Sequence, residues 1–272
     1  MGLDDMLEGY VRPGYTLILR DFNTWQSPVK CGSDVEFSGD TTNLIKKTKR
    51  KGTWGALKFV WEFLQFEALH RTFKAYDSAN VANVAVPLPI AVLPQRHTLV
   101  TEFSPGYILD VFERRMDNGV EVTHYDSSII KAELAVAYHL GVISKIKENE
   151  GIYHADYDLR HIIYDPNGPL ATMFDLENAR HLGGADLEWV IAESGFIKTE
   201  WFDVAKRRGV KAEELEEMYQ RGRNDVNRPK KGYLEFIREV GQEFGITIKP
   251  MKGTLDDQDV RLAPVKYHKP RR

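Results

Sequence analysis

The sequence predicts an α+β protein with two lobes, a β-rich first lobe that carries one long helix and a mainly helical second lobe. Residues 15–50 alternate apolar and polar side chains around turn signals, a pattern typical of antiparallel strands. Residues 54–75 instead repeat apolar side chains near helical spacing, and the chain beyond residue 126 consists mostly of amphipathic segments separated by Gly and Pro. A chain of 272 residues with 42% apolar residues can bury the core that such a fold needs.

Composition excludes several classes of protein. The 37 basic and 40 acidic residues give a net charge of −3, so the overall charge makes no case for nucleic-acid binding. Cys31 is the single cysteine, which excludes internal disulfides and a zinc site built from cysteines, and it fits a reducing compartment. No segment reaches the ~20 apolar residues of a membrane helix, and the N-terminus is acidic where a signal peptide would be basic. We therefore expect a soluble, cytoplasmic protein with no transmembrane segment.

The first lobe, residues 1–101, is predicted from segments taken in chain order. A turn signal at residues 38–40 separates two β-rich runs, and TLILRDF before them is a further strand candidate, so we expect an antiparallel sheet. The helix over 54–75 follows. The prolines of VAVPLPIAVLP then deny a helix and favour an extended path. HTLVTEF at 97–103 is a short strand that ends at a Ser-Pro-Gly turn.

The second lobe, residues 102–248, is predicted to be helical except for one hairpin. A helix over 126–147 begins with Asp and Ser as cap candidates. The runs HIIYD and LATMFD are joined by Pro-Asn-Gly-Pro, which is a hairpin signal. Residues 249–272 are predicted to form a basic tail. Amphipathic segments lie between the hairpin and the tail, at 186–195, 200–208, 211–222 and 231–244.

The stretch YHADYDLRHIIYDPNGPLATMFDLENAR at 153–180 is crowded with acids and imidazoles. They are His154, Asp156, Asp158, His161, Asp165 and Asp175. Phosphoryl transfer needs one carboxylate that orients or deprotonates the attacking hydroxyl and a second that holds the metal ion. Asp156 and Asp175 suit these two roles.

This stretch resembles the catalytic loop and metal-binding hairpin of kinase-fold phosphotransferases. The matching text is HAD at 154–156, HIIYD at 161–165 and FDLE at 174–177, against the family pattern H-[AG]-D-L-x-x-x-N-I-L-x-D followed by I-D-F-[DE]. The likeness is to lipopolysaccharide-core sugar kinases and the related aminoglycoside-phosphotransferase-like and atypical protein kinases, and it covers roughly residues 35–180. It implies a two-lobed protein-kinase-like fold with ATP in the cleft between the lobes.

The resemblance implies a role for each matching residue. Asp156 would be the catalytic base at the acceptor hydroxyl, and Asp175 would hold the divalent ion, Mg²⁺ or Mn²⁺, at the ATP phosphates. Glu102 and Phe103, in a segment similar to the kinase hinge, would present backbone groups to adenine. This chain has His161 where the family has an asparagine metal ligand, and an imidazole suits manganese or zinc better than magnesium.

The same resemblance implies a lysine and a glutamate that act together at ATP. Lys46, at the end of the second β-rich run, corresponds to the lysine that grips the α- and β-phosphates, and we count it with the catalytic residues. Lys47 is the alternative, because a shift of one residue in strand register exchanges the faces of the two side chains. Glu67 on the long helix would pair with this lysine, and it matches the family better than Glu62.

The expected function is therefore that of an ATP- and metal-dependent kinase that phosphorylates a hydroxyl of a sugar, another small molecule, or a protein Ser or Thr. Two alternatives remain open. A catalytically impaired pseudokinase would keep the fold and bind a nucleotide or a partner. A metal-dependent hydrolase would use a metal cage formed by His154, Asp156, His161 and Asp165.

Two basic runs raise the question of an acidic partner. Residues 46–51 and 261–272 are rich in Lys and Arg, so either run could meet nucleic acid, an acidic protein or an anionic lipid surface. The simpler interpretation is a solvated strand end and a solvated tail.

Overall fold

The structure, a computed structural model, describes residues 3–15, 26–30, 34–37, 44–48, 55–77, 84–109, 127–168 and 170–246. These residues form a mixed α+β fold, as the sequence predicts. The predicted strand TLILRDF, the turn at 38–40 and the basic tail lie outside the described residues. None of the helices in the described part has the length and apolar character to span a bilayer.

Six of the described strands form an antiparallel sheet in the first part of the chain. They are β1 (Tyr10–Val11), β2 (Gln26–Lys30), β3 (Asp34–Phe37), β4 (Leu44–Thr48), β6 (Pro89–Leu93) and β7 (Thr98–Glu102), while β5 (Val84–Ala85) pairs elsewhere. The spatial order is β1-β6-β7-β4-β3-β2, so β4 lies in the interior of the sheet. The predicted antiparallel sheet and the strand predicted over 97–103 are confirmed.

The long helix α2 (Gly55–Asp77) packs against this sheet and confirms the helix predicted over 54–75. A helix that is apolar around most of its circumference must be covered on several sides. Strands β6 and β7 and the short helix α1 (Leu3–Glu8) all pack against α2. Its fully or almost fully buried side chains include Phe63, Leu64, Leu69, Phe73 and Tyr76.

The second part of the chain is mainly helical, as predicted. Its helices are α3 (Ser127–Glu150), α4 (Leu187–Arg207), α5 (Ala212–Asn224) and α6 (Tyr233–Glu243). The segments predicted separately at 186–195 and 200–208 are one helix, α4, which corrects the prediction. Gly195 costs about 1 kcal/mol within a helix. Ile197 and Trp201, which follow it in the same helix, are completely buried, and their burial outweighs this cost. Helix α6 returns to the first part of the chain and packs against α2.

Short strands join the two parts of the chain. They are β8 (Tyr107–Ile108), β9 (Ile152–Tyr153), β10 (Ile162–Asp165), β11 (Leu170–Met173) and β12 (Arg180–His181). β10 and β11 form the predicted hairpin, with Ile162 opposite Met173 and Asp165 opposite Leu170. On its two sides β11 pairs with β5 and β10 pairs with β8, while β9 pairs with β12. The hairpin therefore lies against the segments that enter and leave the first sheet.

Both parts of the chain contribute to one large core. Buried apolar side chains of α2, α3, the hairpin and α4 to α6 form a single connected cluster. Leu99 of β7 belongs to this cluster, whereas its neighbour Val100 packs with Ile90 and Ala91 in a small second cluster. Successive residues of a strand point to opposite faces, so the large core and α2 lie on the Leu99 face of the sheet.

Candidate functional site

The candidate site begins at the turn between α3 and β9. Gly151 has a φ of +61°, and a Cβ atom there would lie 2.1 Å from the carbonyl oxygen of Leu182. Only glycine accepts both this conformation and this close approach without strain. The backbone N–H of Leu182 donates to the carbonyl of Gly151 at 2.7 Å, and β9 pairs with β12 beside it. These contacts fix the position of the backbone directly before the loop over 154–161.

Three residues predicted from the sequence meet beside this loop. Nε2 of His161 lies 3.5 Å from Oδ2 of Asp175 and 3.9 Å from Oδ2 of Asp156. The side chain of His161 is only 11% exposed, whereas those of Asp156 and Asp175 are 57% and 34% exposed. The imidazole thus forms the buried side of an acidic cluster that solvent can reach.

Backbone contacts of the hairpin bring Asp175 back to the loop. The N–H of Phe174 donates to the carbonyl of His161 at 3.1 Å, and Nε2 of His154 lies 3.0 Å from the carbonyl oxygen of Phe174. Ala155, with φ 70°, and Asp175, with φ 57° and ψ 50°, adopt left-handed conformations that are uncommon for residues with a side chain. Backbone strain of this kind clusters at functional sites.

Asp158 lies on the other side of the His161 ring. Its carboxylate caps a 3₁₀ turn by accepting the backbone N–H of Arg160 at 2.8 Å, and it also accepts Nε–H of the Arg160 side chain at 2.9 Å. Nδ1 of His161 lies 3.5 Å from Oδ1 of Asp158 but makes no hydrogen bond to any described residue. Burial opposes the charge on Asp158, but the hydrogen bonds from Arg160 outweigh it and lower the pKa of the carboxyl group.

A buried ion pair between Lys147 and Glu193 holds the backbone at the start of the loop over 154–161. Glu193 of α4 accepts the backbone N–H groups of His154 at 3.0 Å and Ala155 at 2.8 Å, and it accepts Nζ–H of Lys147 from α3 at 2.6 Å. Lys147 is completely buried, and its ammonium lies 3.3 Å from the centre of the Tyr157 ring. Burial and the charge of Lys147 lower the pKa of His154 to about 4, so His154 is neutral at pH 7 and serves to hold the loop.

Sequence reasoning did not identify Lys147 and Glu193 as parts of the site. Both lie on amphipathic helices, where lysine and glutamate usually face solvent. A signal was nevertheless available, because Lys147 falls one turn after the buried Ile143, and Glu193 lies between the buried Val190 and Ile197. A charged residue on an apolar stripe needs a buried partner.

Lys46 and Lys47, the lysines expected to bind ATP, lie on β4. The structure describes their backbone but not their side chains. The backbone register pairs Lys46 with Val100 and Lys47 with Leu99. Directly opposed residues of antiparallel strands lie on the same face of the sheet. Since Leu99 belongs to the core that contains α2, position 47, rather than position 46, shares a face with that helix.

The residues expected to contact adenine lie at the end of β7. The backbone N–H of Glu102 donates to the carbonyl of Leu88 at 2.9 Å. This donor is therefore already used within the protein.

Glu67 lies in a cluster of charges that joins three segments of the protein. Oε2 of Glu67 pairs with Nη2 of Arg12, and Oε1 accepts Nε–H of Arg71 at 2.9 Å. Arg71 also donates two hydrogen bonds of 2.7 Å to the carboxylate of Glu243 on α6. Glu62, the other candidate on α2, is 1% exposed. Positions five residues apart on a helix differ by about 140°, so Glu62 and Glu67 face different surroundings.

Asp165, a member of the alternative metal cage, lies apart from the acidic cluster. It ends β10 at the hairpin turn, at the opposite end of the strand from His161, and its Oδ1 accepts the backbone N–H of Asn167 at 2.9 Å. Among the described residues, three whose ligand atoms lie within 4.8 Å of one another are Asp156, Asp158 and His161.

Comparison of the chain with protein-family models gives no match, and comparison with curated proteins gives none either. The function must therefore be argued from the chemistry of the site.

Proposed function

We propose that the chain is an ATP- and divalent-metal-dependent kinase that transfers the γ-phosphate to a hydroxyl acceptor. The observation that carries this proposal is the meeting of Asp156 and Asp175 at His161, with one acid before the hairpin and the other directly after it. Phosphoryl transfer requires a carboxylate at the acceptor hydroxyl and another at the metal ion. The exposed side chain of Asp156 is accessible to an acceptor, which supports its role as the base.

The donor atoms of the site fit a divalent ion. A carboxylate oxygen of Asp175 and the imidazole of His161 would hold Mn²⁺ or Zn²⁺, and the carboxylate also suits Mg²⁺. When bound, the ion offsets the negative charge of the transferring phosphate. A carboxylate oxygen of Asp156 accepts the proton of the acceptor hydroxyl, and the hydrogen bonds of Glu193 hold the backbone of the two preceding residues.

We propose a two-lobed protein-kinase-like arrangement, with residues 1–101 as the first lobe and 102–248 as the second. Two packing features support it. Helix α2 contacts both the first sheet and the 3₁₀ turn Leu176–Asn178 directly after Asp175, and the hairpin lies between the two parts of the chain. In kinases the lysine of the sheet, the helix beside it and the metal-binding aspartate act together on ATP. In this chain α2 contacts both β7, which is the strand next to β4, and the turn directly after Asp175.

Lys47 is our choice for the lysine that grips the phosphates of ATP, with Lys46 as the alternative. The register of β4 against β7 supports this choice, since position 47 shares a face with α2. Adenine would then lie at the connector, against backbone groups of Glu102 and Phe103.

A nucleotide-binding module without turnover is the second candidate function. The observation that favours it is His161, which stands where the kinases that this chain resembles have an asparagine metal ligand. The acceptor of an active enzyme would be a sugar, another small molecule, or a protein Ser or Thr.

ATP binding and turnover in the same samples test the proposed function. Calorimetry with ATP and Mg²⁺ or Mn²⁺, followed by assays of ATP hydrolysis and autophosphorylation, would be run on the wild type, Asp156→Asn and Asp175→Asn. Asp156→Asn should keep ATP binding and lose turnover by about 100-fold or more, because the proton acceptor is gone. Asp175→Asn should lose metal-dependent ATP binding.

The matched control is Asp165→Asn, which removes an acid at the other end of β10 and should keep both binding and turnover. Full turnover in Asp156→Asn and Asp175→Asn would overturn the assignment. ATP binding without turnover in the wild type would establish the binding module. Absence of ATP binding would reject the kinase and return attention to a metal-dependent hydrolase.

A further inference from the structure

We propose that Asp158 orients His161 so that Nε2 of the imidazole, together with Asp156 and Asp175, binds a first-row transition-metal ion, Mn²⁺ or Zn²⁺, even without nucleotide. This inference deepens the proposed function and rests on it for the role of the ion in phosphate transfer. Binding of the ion itself requires only the residues of the cluster.

The two ring nitrogens of His161 face different carboxylates. Nδ1 lies 3.5 Å from Asp158, while Nε2 lies 3.5 Å from Asp175 and 3.9 Å from Asp156. A neutral imidazole has one N–H and one lone pair. An N–H on the Asp158 side leaves the lone pair on the side of the other two acids. Histidines that bind metals commonly donate their second ring N–H to a carboxylate in this way.

Asp158 is a positioning residue rather than a ligand because each of its oxygens already accepts a hydrogen bond from Arg160, and Oδ1 also faces Nδ1 of His161. Oδ1 accepts the backbone N–H of Arg160, and Oδ2 accepts Nε–H of the same residue. Asp156 is the most exposed of the three acids, and Asp175 is the next. These two carboxylates are therefore better able to bind an ion than Asp158 is.

The spacing around His161 suits a shared ion once Asp156 turns toward Asp175. Ligand atoms about 2.1 Å from a tetrahedral metal ion lie about 3.4 Å from one another. The separation between His161 and Asp175 is close to this value, and the one between His161 and Asp156 is slightly longer. Asp175 does not belong to the group of ligand atoms that lie within 4.8 Å of one another, so the exposed side chain of Asp156 must move for one ion to contact all three residues.

The His161 ring is also buried and oriented in advance. Its Nδ1 is inaccessible to solvent and lacks a hydrogen-bond partner in the described part of the chain. The ring stacks on His154 with a centroid distance of 5.5 Å and meets the edge of Phe174 at 5.8 Å. A buried nitrogen without a partner is costly, and a metal ion at Nε2 would strengthen the attraction of the opposite N–H to Asp158.

The chemistry of the ligands selects the metal. Imidazole nitrogen binds transition-metal ions well, whereas Mg²⁺ prefers oxygen, gives up its water reluctantly and usually binds together with phosphates. Without nucleotide we therefore expect Zn²⁺ to bind more tightly than Mn²⁺, and Mn²⁺ more tightly than Mg²⁺.

The test measures ion binding to the full chain without nucleotide, using electron paramagnetic resonance for Mn²⁺ and calorimetry for Zn²⁺ and Mg²⁺. Asp158→Asn should weaken Zn²⁺ binding about 10–100-fold, which is the usual effect of losing the carboxylate partner of a metal-binding histidine. His161→Asn should weaken it more and leave Mg²⁺ binding almost unchanged. Arg160→Gln is the matched control, since it disturbs the turn but leaves the Asp158 carboxylate, and it should bind Zn²⁺ like the wild type.

Zn²⁺ and Mn²⁺ binding that His161→Asn does not weaken would overturn the inference, and so would equal losses in Asp158→Asn and Arg160→Gln. The ATP assays keep this test separate from that of the proposed function. Ion binding with the expected variant pattern but without ATP turnover would reject the kinase and retain the metal site. Turnover together with unaltered ion binding in the variants would do the reverse.

Discussion

The loop over 154–161 with its hairpin and the charged cluster around Glu67 differ in how far apart their members lie in the sequence. The loop and hairpin bring Asp156, His161 and Asp175 together within one short stretch of chain. The Glu67 cluster instead joins Arg12 from the N-terminal part with Glu243 near the end of the described residues. Spacing in the sequence therefore predicts which residues of the loop and hairpin meet, but it does not predict the partners of Glu67.

The difference has a physical origin. A hairpin closes a short loop at low entropic cost, and its ladder of backbone hydrogen bonds fixes which residues meet at its ends. The partners of Glu67 depend instead on how β1 and α6 pack against α2. The resemblance that implies a contact of Glu67 with a lysine contains no information about Arg12 or Arg71.

Glu193→Gln should have the largest effect on stability. Glu193 lies far from the loop over 154–161 in the sequence, but it holds the backbone of that loop. The variant leaves the buried ammonium of Lys147 without its charged partner and disturbs the bonds to the backbone of the loop. Breaking a buried pair from one side costs about 3–5 kcal/mol. Urea unfolding should therefore give a free energy of unfolding lower by about this amount.

Glu188→Gln is the control for Glu193→Gln, since it changes an exposed acid on the same helix and should stay within about 0.5 kcal/mol of the wild type. Equal stability of the two variants would mean that the loop does not depend on the pair. A double variant, Lys147→Met with Glu193→Gln, should recover part of the loss because no buried charge then remains unpaired.

The lysines of β4 provide a second test. The sequence does not decide whether Lys46 or Lys47 binds ATP, but the register of β4 against β7 places the two residues on opposite faces of the sheet. Lys47→Met should weaken MgATP binding about 10–100-fold, which corresponds to the loss of a hydrogen bond from a charged donor. Lys46→Met should bind MgATP almost as the wild type does, and calorimetry compares the two. The opposite ranking would return the role to Lys46 and show that the register argument fails at this strand.

Much of the fold could be predicted from patterns of short period. Helix α2 and the hairpin followed from apolar spacing and from the Pro-Asn-Gly-Pro turn, and both are confirmed. Helix α4 was predicted as two segments because Gly195 was interpreted as a break, whereas the burial of Trp201 maintains one helix. Lys147 and Glu193 were missed because their role follows only from their contact with each other. That contact joins two helices that are distant in the sequence.

Glu67→Gln should have the smallest effect on ATP binding, and it tests the charged cluster whose members are far apart in the sequence. The variant weakens the contacts with Arg12 and Arg71, so the free energy of unfolding should fall by about 2 kcal/mol. Affinity for MgATP should hardly change, because a carboxylate held by two arginines is not available to a lysine of the sheet. Glu62→Gln is the matched comparison on the same helix and should reduce ATP turnover more than Glu67→Gln does. A large loss of MgATP affinity in Glu67→Gln alone would instead mean that this carboxylate leaves its arginines when ATP binds, and that its pairing in the present structure belongs to a resting arrangement of α2.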